Sequence, residues 1–482
     1  MSPLNKEILR LALPSILANL TVPLVGLVDI AVAGHLDSSA AALIGGISIG
    51  SLMFDLMYWN FGFLRAGTGG MTAQAFGRED LTGCAVILRR GLRAALLAAL
   101  VLLAIQWPFQ KLIFLFVNCS EEVKALALKY FYIRVWAAPA TLSLMTLRGW
   151  FIGMQDTFSS MLTDVVVNGV NILCSIFLAL GIPGTSFHGI GFAGIAWGTI
   201  IAQYTGLLFA AAVIFLKYRN VVLMGRDSVS TMRSGGNAPG RPFTRLGREA
   251  QGVPGPFAAG HNMLKEFFTV NRDLFIRSLC LMAVYLAFSA ISARFGDTYL
   301  AMCSIMMKLM LIFSYFTDGF AFAGEALTGR FIGASDPGNL RETVKWTFIW
   351  SMGIGVLFIG IYSLAGIPMF RLMTADSTVV GAARDFIPWL AVIPLLGCPA
   401  FTWDGIYTGA TATREMRDSN IGCVLAFFGV WFLGLLLVEK TGGAPVPSRV
   451  KVHLLFAAYY AHLLFRSLYQ TVKYKSSILG KL

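Results

Sequence analysis

Charged side chains are scarce. They make up 13% of the 482 residues, against ~25% in an ordinary soluble domain. With 56% hydrophobic residues and a mean hydropathy of +0.70, that deficit points to a chain whose main solvent is lipid. A GxxxxGK[ST] loop is missing, so ATP is not the expected energy source. HExxH is missing too, and the five histidines, His35, His188, His261, His453 and His462, are scattered. No metal site or resident cofactor is expected from that pattern. The seven cysteines form no CxxC pair. Cys174, Cys280 and Cys423 lie inside apolar runs, where a thiol acts as a small hydrophobe, so no disulfide framework is expected. The first apolar run is too long, and too interrupted by Pro14 and Pro23, for a cleaved leader. Nor do polar groups cluster at one interface, as a membrane enzyme acting on lipid would need.

What is present is length. A spanning helix needs roughly 20 apolar residues, and twelve such stretches are expected, at 8–32, 40–63, 86–108, 131–153, 160–181, 191–216, 274–294, 298–321, 344–366, 385–409, 420–438 and 452–471. They fall into two sets of six. Arg148-Gly149-Trp150-Phe151-Ile152-Gly153 and Thr157 are matched 256 residues later by Asp404-Gly405-Ile406-Tyr407-Thr408-Gly409 and Thr413. The same offset pairs Thr72 with Thr328, Gly77 with Gly333 and Asp80 with Asp336. The expectation is an all-α integral membrane protein of twelve transmembrane helices, duplicated as six-helix lobes at 1–216 and 266–482. Duplicated halves are a common plan of secondary transporters, because a site between movable halves can face either side.

Residues 217–265 connect the halves. The stretch from Arg226 to His261 is rich in Gly, Pro, Ser and Arg and has no apolar period, which is linker composition. The net charge of +13 collects in the loops on one side, including Arg226, Arg233, Arg241, Arg245 and Arg248. That asymmetry is the positive-inside signature, so both termini are expected in the cytoplasm. Without interleaved aromatics, the charge is not read as a nucleic-acid surface. Glycines four apart, such as Gly46 with Gly50 and Gly194 with Gly198, suit close helix packing. Gly67-Thr68-Gly69-Gly70 lacks a phosphate-loop lysine and is read as a tight cytoplasmic turn.

Ionisable groups inside spans are the informative ones, since charge in lipid is costly and is kept for function. Asp29 lies in the outer part of the first span, where it is either an inert interfacial residue or a working one. Asp55, Asp318 and Asp404 are read near the inner ends of their helices, capping them or pairing with basic loops in a structural or gating role. Arg277 opens the seventh span in the same role. Lys308 stands alone in the eighth span and is expected to line the second lobe's cavity, facing protein or water. Asn168 and Asn171, one turn apart, either bridge helices or line a cavity. Ser175 and Thr199 join them as candidate cavity residues.

These residues resemble the multidrug and toxic compound extrusion (MATE) family, its DinF-like branch in particular. The matching stretches in the first half are Val28-Asp29-Ile30-Ala31-Val32-Ala33-Gly34-His35-Leu36, and Tyr58 to Arg65 leading into Gly67-Thr68 and Thr72-Ala73-Gln74-Ala75. In the second half they are Val270 to Arg277, Asp318-Gly319-Phe320-Ala321 and Gly324-Glu325-Ala326. The likeness covers nearly the whole chain except about 222–262. It implies two lobes forming a V, and a secondary antiporter, not an enzyme, that exports amphipathic, often cationic or aromatic compounds against H⁺ or Na⁺. It implies that Asp29 is the coupling residue, that Pro14 stands where the first helix bends, and that Asn171 is the fifth-span asparagine.

One departure bears on the ion. Many relatives read Asn-Ile-x-x-Asp in the fifth span, where this chain has Asn171-Ile172-Leu173-Cys174-Ser175. With Val22 and Val25 nearby, the cavity has fewer acids. The carboxylate that another branch carries in the seventh span has no clear counterpart here. Na⁺ prefers several oxygens, whereas H⁺ needs one titratable group, so H⁺ is the expected coupling ion. The expected partners are small amphipathic substrates and the lipid of a plasma (inner) membrane, with the chain monomeric. The alternatives are a lipid-linked oligosaccharide flippase, which would need a strongly basic central cavity, and a Na⁺-coupled exporter.

Overall fold

The computed structural model describes residues 2–34, 36, 40–116, 119–181, 186, 188–223, 260–374, 376–442 and 446–482. The stretch from Arg226 to His261, read as a linker, lies almost wholly outside the described residues. In the first half the helices are α1 (Pro3–Gly34), α2 (Ala40–Trp59), α3 (Gly62–Gly77), α4 (Leu81–Phe116), α5 (Glu121–Arg134), α6 (Ala138–Gly153), α7 (Thr157–Leu180) and α8 (Phe192–Lys217). In the second they are α9 (Gly260–Ser292), α10 (Asp297–Gly333), α11 (Pro337–Met373), α12 (Ser377–Ala383), α13 (Ile387–Gly409), α14 (Thr413–Gly442) and α15 (Ser448–Ser477). The pairs α2/α3 and α5/α6 are each one span with a break, and α12 is a short lead into α13, so twelve rods result. Among the described residues, nine helical stretches are long and apolar enough to cross a membrane. Large apolar side chains such as Leu100, Leu208, Leu364 and Leu433 point outward, as lipid solvent permits.

The repeat is visible in the backbone. Among the described residues, four that are not glycine adopt positive φ: Glu79, Gln155, Ser335 and Thr411. Glu79 pairs with Ser335, and Gln155 with Thr411, at the offset of 256. Each closes a helix end in the left-handed conformation that lets the next N–H reach a carbonyl five residues back. Asp80 N–H donates to the Ala75 carbonyl and Asp336 N–H to that of Phe331, both at 2.9 Å. Asp156 N–H donates to Phe151 at 2.8 Å and Ala412 N–H to Tyr407 at 2.9 Å. Asp80 and Asp336 then accept from Gly83 N–H and Asn339 N–H, at 2.7 and 3.0 Å. These are helix-start caps, also in register by the same offset.

The lobes meet near these turns. A Cβ on Gly77 would stand 2.0 Å from the Arg330 carbonyl oxygen, and one on Gly333 would stand 2.1 Å from that of Gln74. Gly77 matches Gly333 and Gln74 matches Arg330, so the contact is reciprocal, as a two-fold relation requires. One apolar cluster joins Ile8, Leu11, Ile16 and Ile152 of the first half to Leu274, Phe320, Leu327 and Ile406 of the second. Three further clusters stay within single halves.

The Gly67–Gly70 run is not a turn. It lies inside α3 and is buried. Its glycines serve close approach between rods: a Cβ on Gly70 would fall 2.1 Å from the Thr408 carbonyl oxygen. A helical run of small residues at an interface reads, in sequence, like loop composition.

Candidate functional site

In the first lobe α1 carries Asp29 inward. The helix runs through Pro14 and Pro23 without interruption, although each proline leaves one carbonyl without its helical donor. Asp29 is 5% exposed. Its electrostatic neighbours are Arg134 on α5 and Ser175 on α7. The Ser175 hydroxyl is fully buried beside it but closes no hydrogen bond of good geometry. One turn along α7, Asn171 donates to the Thr199 hydroxyl on α8 at 3.0 Å. Asp29 Oδ1, Asn171 Oδ1 and Ser175 Oγ are thus buried oxygens without a hydrogen-bond partner. Such groups are expensive to leave unmet. Asn168, by contrast, reaches α1 and donates to the Thr21 hydroxyl at 2.5 Å. Both asparagines bridge helices, Asn168 from α7 to α1 and Asn171 from α7 to α8.

Arg134 was not singled out in the sequence, since it begins an apolar span and resembles an interfacial residue. It donates to the Tyr130 hydroxyl at 2.9 Å and lies over the Phe54 ring at 4.8 Å. Its charge acts on Asp29, Asp55 and Tyr58 together.

A cavity of about 260 Å³ lies where the second lobe meets α3 of the first, lined by Arg65, Arg277, Asp318, Phe322, Phe401 and Asp404, among others. Asp404 was expected to cap or to pair with a loop. Instead it is gripped by two in-span guanidiniums, Arg277 from α9 and Arg466 from α15. Gln470 also donates to it, at 3.4 Å. Arg466 is 3% exposed, and a buried cation needs such a partner. Asp318 was placed near an inner helix end, but α10 continues to Gly333. It therefore stands well inside that rod, on the cavity wall, with Arg65, Arg466 and Arg277 around it. Asp55 is likewise interior, because α2 and α3 extend its span to Gly77. Lys308 is not among the residues lining this cavity. It is exposed, and its charge reaches Asp55 of the other lobe.

Two ion pairs join the lobes among the described residues, and in one of them Arg330 of α10 pairs with Glu7 of α1 at 2.7 Å. In the other, Arg65 of α3 donates to Glu325 of α10 at 3.0 Å, and its guanidinium lies 4.5 Å from the Phe322 ring centre. Within the first lobe, Arg148 pairs with Asp164 at 2.5 Å.

The MatE family model matches the chain twice, over residues 14–177 and 274–437. The DNA damage-inducible protein F of Escherichia coli (strain K12) is 31% identical over 417 residues, covering 86% of this chain and 83% of that protein. The human multidrug and toxin extrusion protein 1 is 23% identical over 436 residues, covering 89% and 68%. A crystal structure of MATE in complex with MaL6 superposes with a TM-score of 0.78 at 16% identity, covering 100% of this chain and 97% of that one. MATE in the straight conformation gives 0.78 at 16% identity, covering 98% and 97%. Those structures establish the fold, two six-helix lobes of membrane-spanning helices. With the family model laid down once in each half and a relative similar along most of its length, the chain belongs to the MatE family: it is a multidrug and toxin extrusion transporter, not an enzyme.

Proposed function

We propose that the chain is an H⁺-coupled antiporter of the plasma membrane, monomeric and with both termini cytoplasmic. It exports amphipathic compounds, cationic or aromatic, by alternating access. The observation that carries this reading is Asp29: one buried carboxylate, with one oxygen unpartnered, on the helix that packs against both lobes. A carboxylate taken from water holds its charge at high cost and is released from that cost by a proton. Protonation from outside neutralises Asp29, changes how α1 packs against α7 and α10, and weakens the hold on the bound compound. Reorientation then delivers the proton to the cytoplasm. Ser175 and Asn171 add neutral oxygens but no second charge, and a single acid suits H⁺ better than Na⁺.

The test is substrate-driven proton flux from the purified protein in liposomes, with Na⁺ present and absent. Flux that follows the pH gradient and ignores Na⁺ is expected. Flux that requires Na⁺ would overturn the choice of ion. Translocation of a lipid-linked oligosaccharide without proton movement would favour a flippase. The balanced cluster around the cavity, with Arg65, Arg277 and Arg466 against Glu325, Asp404 and Asp318, argues against the basic cavity that a flippase needs.

A further inference from the structure

The cavity where α3 meets the second lobe carries more chemistry than the fold calls for. Two helix faces line it. Asp318, Ala321 and Phe322 come from α10, and Phe401, Asp404, Gly405 and Thr408 from α13. Steps of three and four residues keep each set on one face of its helix. Glu325 continues the α10 face and holds Arg65 at 3.0 Å. The first half repeats both helices without these groups. At the offset of 256, Asp318, Glu325, Phe401 and Asp404 are matched by Gly62, Gly69, Met145 and Arg148. The repeat therefore folds without the three acids, and folding alone does not account for them.

Their charges do not all cancel by contact. Arg277 and Arg466 both grip Asp404, two cations on one carboxylate. Arg277 keeps its Nε–H buried and without a hydrogen-bond partner. Asp318 has no ion pair or hydrogen bond among the described residues. A surplus guanidinium charge and a surplus carboxylate thus line one cavity without pairing. Bare charges of either sign are costly away from bulk water. One guest can meet both, with an anionic group for Arg277 and an ammonium for Asp318. The other walls are apolar. Phe322 and Phe401 line the cavity, and the Arg65 guanidinium lies 4.5 Å from the Phe322 ring centre. The volume of about 260 Å³ is below the roughly 300–1,000 Å³ of pockets that take drug-sized ligands, so the guest is small.

This place is distinct from the Asp29 pocket. The Glu7–Arg330 pair fixes the start of α1 beside the end of α10. A rise of 1.5 Å per residue sets Asp29 roughly 33 Å further along α1. Asp404 and Thr408 sit instead in the last turns of α13, beside Thr411, whose hydroxyl accepts from Gln74 of the first lobe at 3.0 Å. We propose that the cavity is a second binding site, for a small zwitterion of the α-amino acid type with an apolar side group. Its carboxylate meets Arg277, its ammonium meets Asp318, and its side group lies against Phe322 and Phe401. The inference goes beyond the antiport reading and does not depend on the coupling ion.

The experiment measures equilibrium binding to the full-length protein in nanodiscs of phosphatidylglycerol, a lipid without an ammonium group. The probes are L-phenylalanine, phenethylamine, which lacks the carboxylate, and phenylpropionate, which lacks the ammonium. L-phenylalanine should bind, and each truncated probe should bind about tenfold or more weakly, since each leaves one charge unmet. Asp318→Asn should weaken L-phenylalanine by about tenfold and should not weaken phenylpropionate, which never engages that carboxylate. No saturable L-phenylalanine binding at millimolar concentration, equal affinity for the three probes, or an equal loss of both in Asp318→Asn would overturn the site. If that variant does not fold, the three probes on the parent protein decide alone. Loss of L-phenylalanine binding when phosphatidylethanolamine replaces the lipid would show that a headgroup of the same chemistry takes the site, and would overturn the free solute as its occupant. Compound-driven proton flux without L-phenylalanine binding would remove this inference and leave antiport standing.

Discussion

Gly69 and Glu325 occupy matching positions of the two halves and face each other where the lobes meet. A Cβ on Gly69 would lie 2.1 Å from Glu325 Oε1. The duplicated position has diverged into a complementary pair: one half gives up its side chain, and the other fills the space with a carboxylate that is 1% exposed. Arg65, four residues before Gly69, supplies its counter-charge.

This arrangement makes the glycine as important as the ions. Gly69→Ala should push Glu325 off Arg65, and Arg65→Ala should leave a buried carboxylate unpaired. Removing one member of a buried pair costs about 3–5 kcal/mol, and the partial exposure of Arg65 places its loss at the lower end. Adding Glu325→Gln to Arg65→Ala should recover part of it, since no charge then remains buried. Thermal unfolding in detergent for the single and double variants checks this. Equal melting of Arg65→Ala and the parent would show that the pair contributes nothing to stability.

The reciprocal glycines yield a conformational test. Gly77→Val should prevent the close approach to Arg330, because backbone, unlike a flexible side chain, cannot move aside. The lobes should then separate at the end bearing the turns after α3 and α10. Spin labels at Glu79 and Ser335, one in each turn, should report longer distances in Gly77→Val than in the parent. An unchanged distance distribution would mean that the contact does not limit opening.

Much of this architecture is legible in the sequence. Apolar length marks the rods, and the 256-residue offset from Arg148 to Asp404 anticipates the repeated turns at Glu79 and Ser335. The ion pairs are not legible, and the reason is physical. Arg277 and Arg466 reach Asp404 from positions 127 and 62 residues away along the chain, a proximity that only helix packing creates. Arg134 sits in a span whose apolar signal conceals it, and Glu325 lies beyond the apolar run at 298–321, in a part of α10 that the hydropathy does not mark. Asp55 and Asp318 look terminal because apolar runs are shorter than the helices that carry them; α10 runs for 37 residues. The Gly67–Gly70 run is misleading because packing between helices and turning of the chain both favour glycine.

Outside the spans, Asp156 offers a pH test. It caps α7 by accepting from Ser159 N–H at 3.2 Å. It also accepts from Lys217 and from the Tyr218 hydroxyl, both at 2.7 Å. Burial alone would raise its pKa, but these donors outweigh it and hold the carboxyl below the usual range. A depressed folded value contributes stability above the unfolded pKa, near ~3.9, that is lost as pH falls through the folded value. Asp156→Asn should lower the melting temperature at neutral pH, and the gap to the parent should shrink below about pH 4. A gap that is constant from pH 7 to pH 3 would rule out this linkage.

The coupling reading depends most on Asp29. Asp29→Asn keeps nearly the same shape, so insertion and folding should survive. The amide cannot alternate between charged and neutral forms, so proton-driven export should fall to background. Asn171→Ala should impair transport less, because it removes the bond to Thr199 without removing a titratable group. Ser175→Asp places a second carboxylate beside the first. Two acids in one pocket resist joint ionisation and offer a cation more oxygens, so export by this variant should become Na⁺-sensitive. The measurement is proton flux and compound efflux in proteoliposomes at matched protein levels from pH 6 to 8. If Asp29→Asn transports like the parent across that range, the proton is carried elsewhere. The second-lobe acids Asp318 and Asp404, each already facing arginines, would then be the next groups to neutralise.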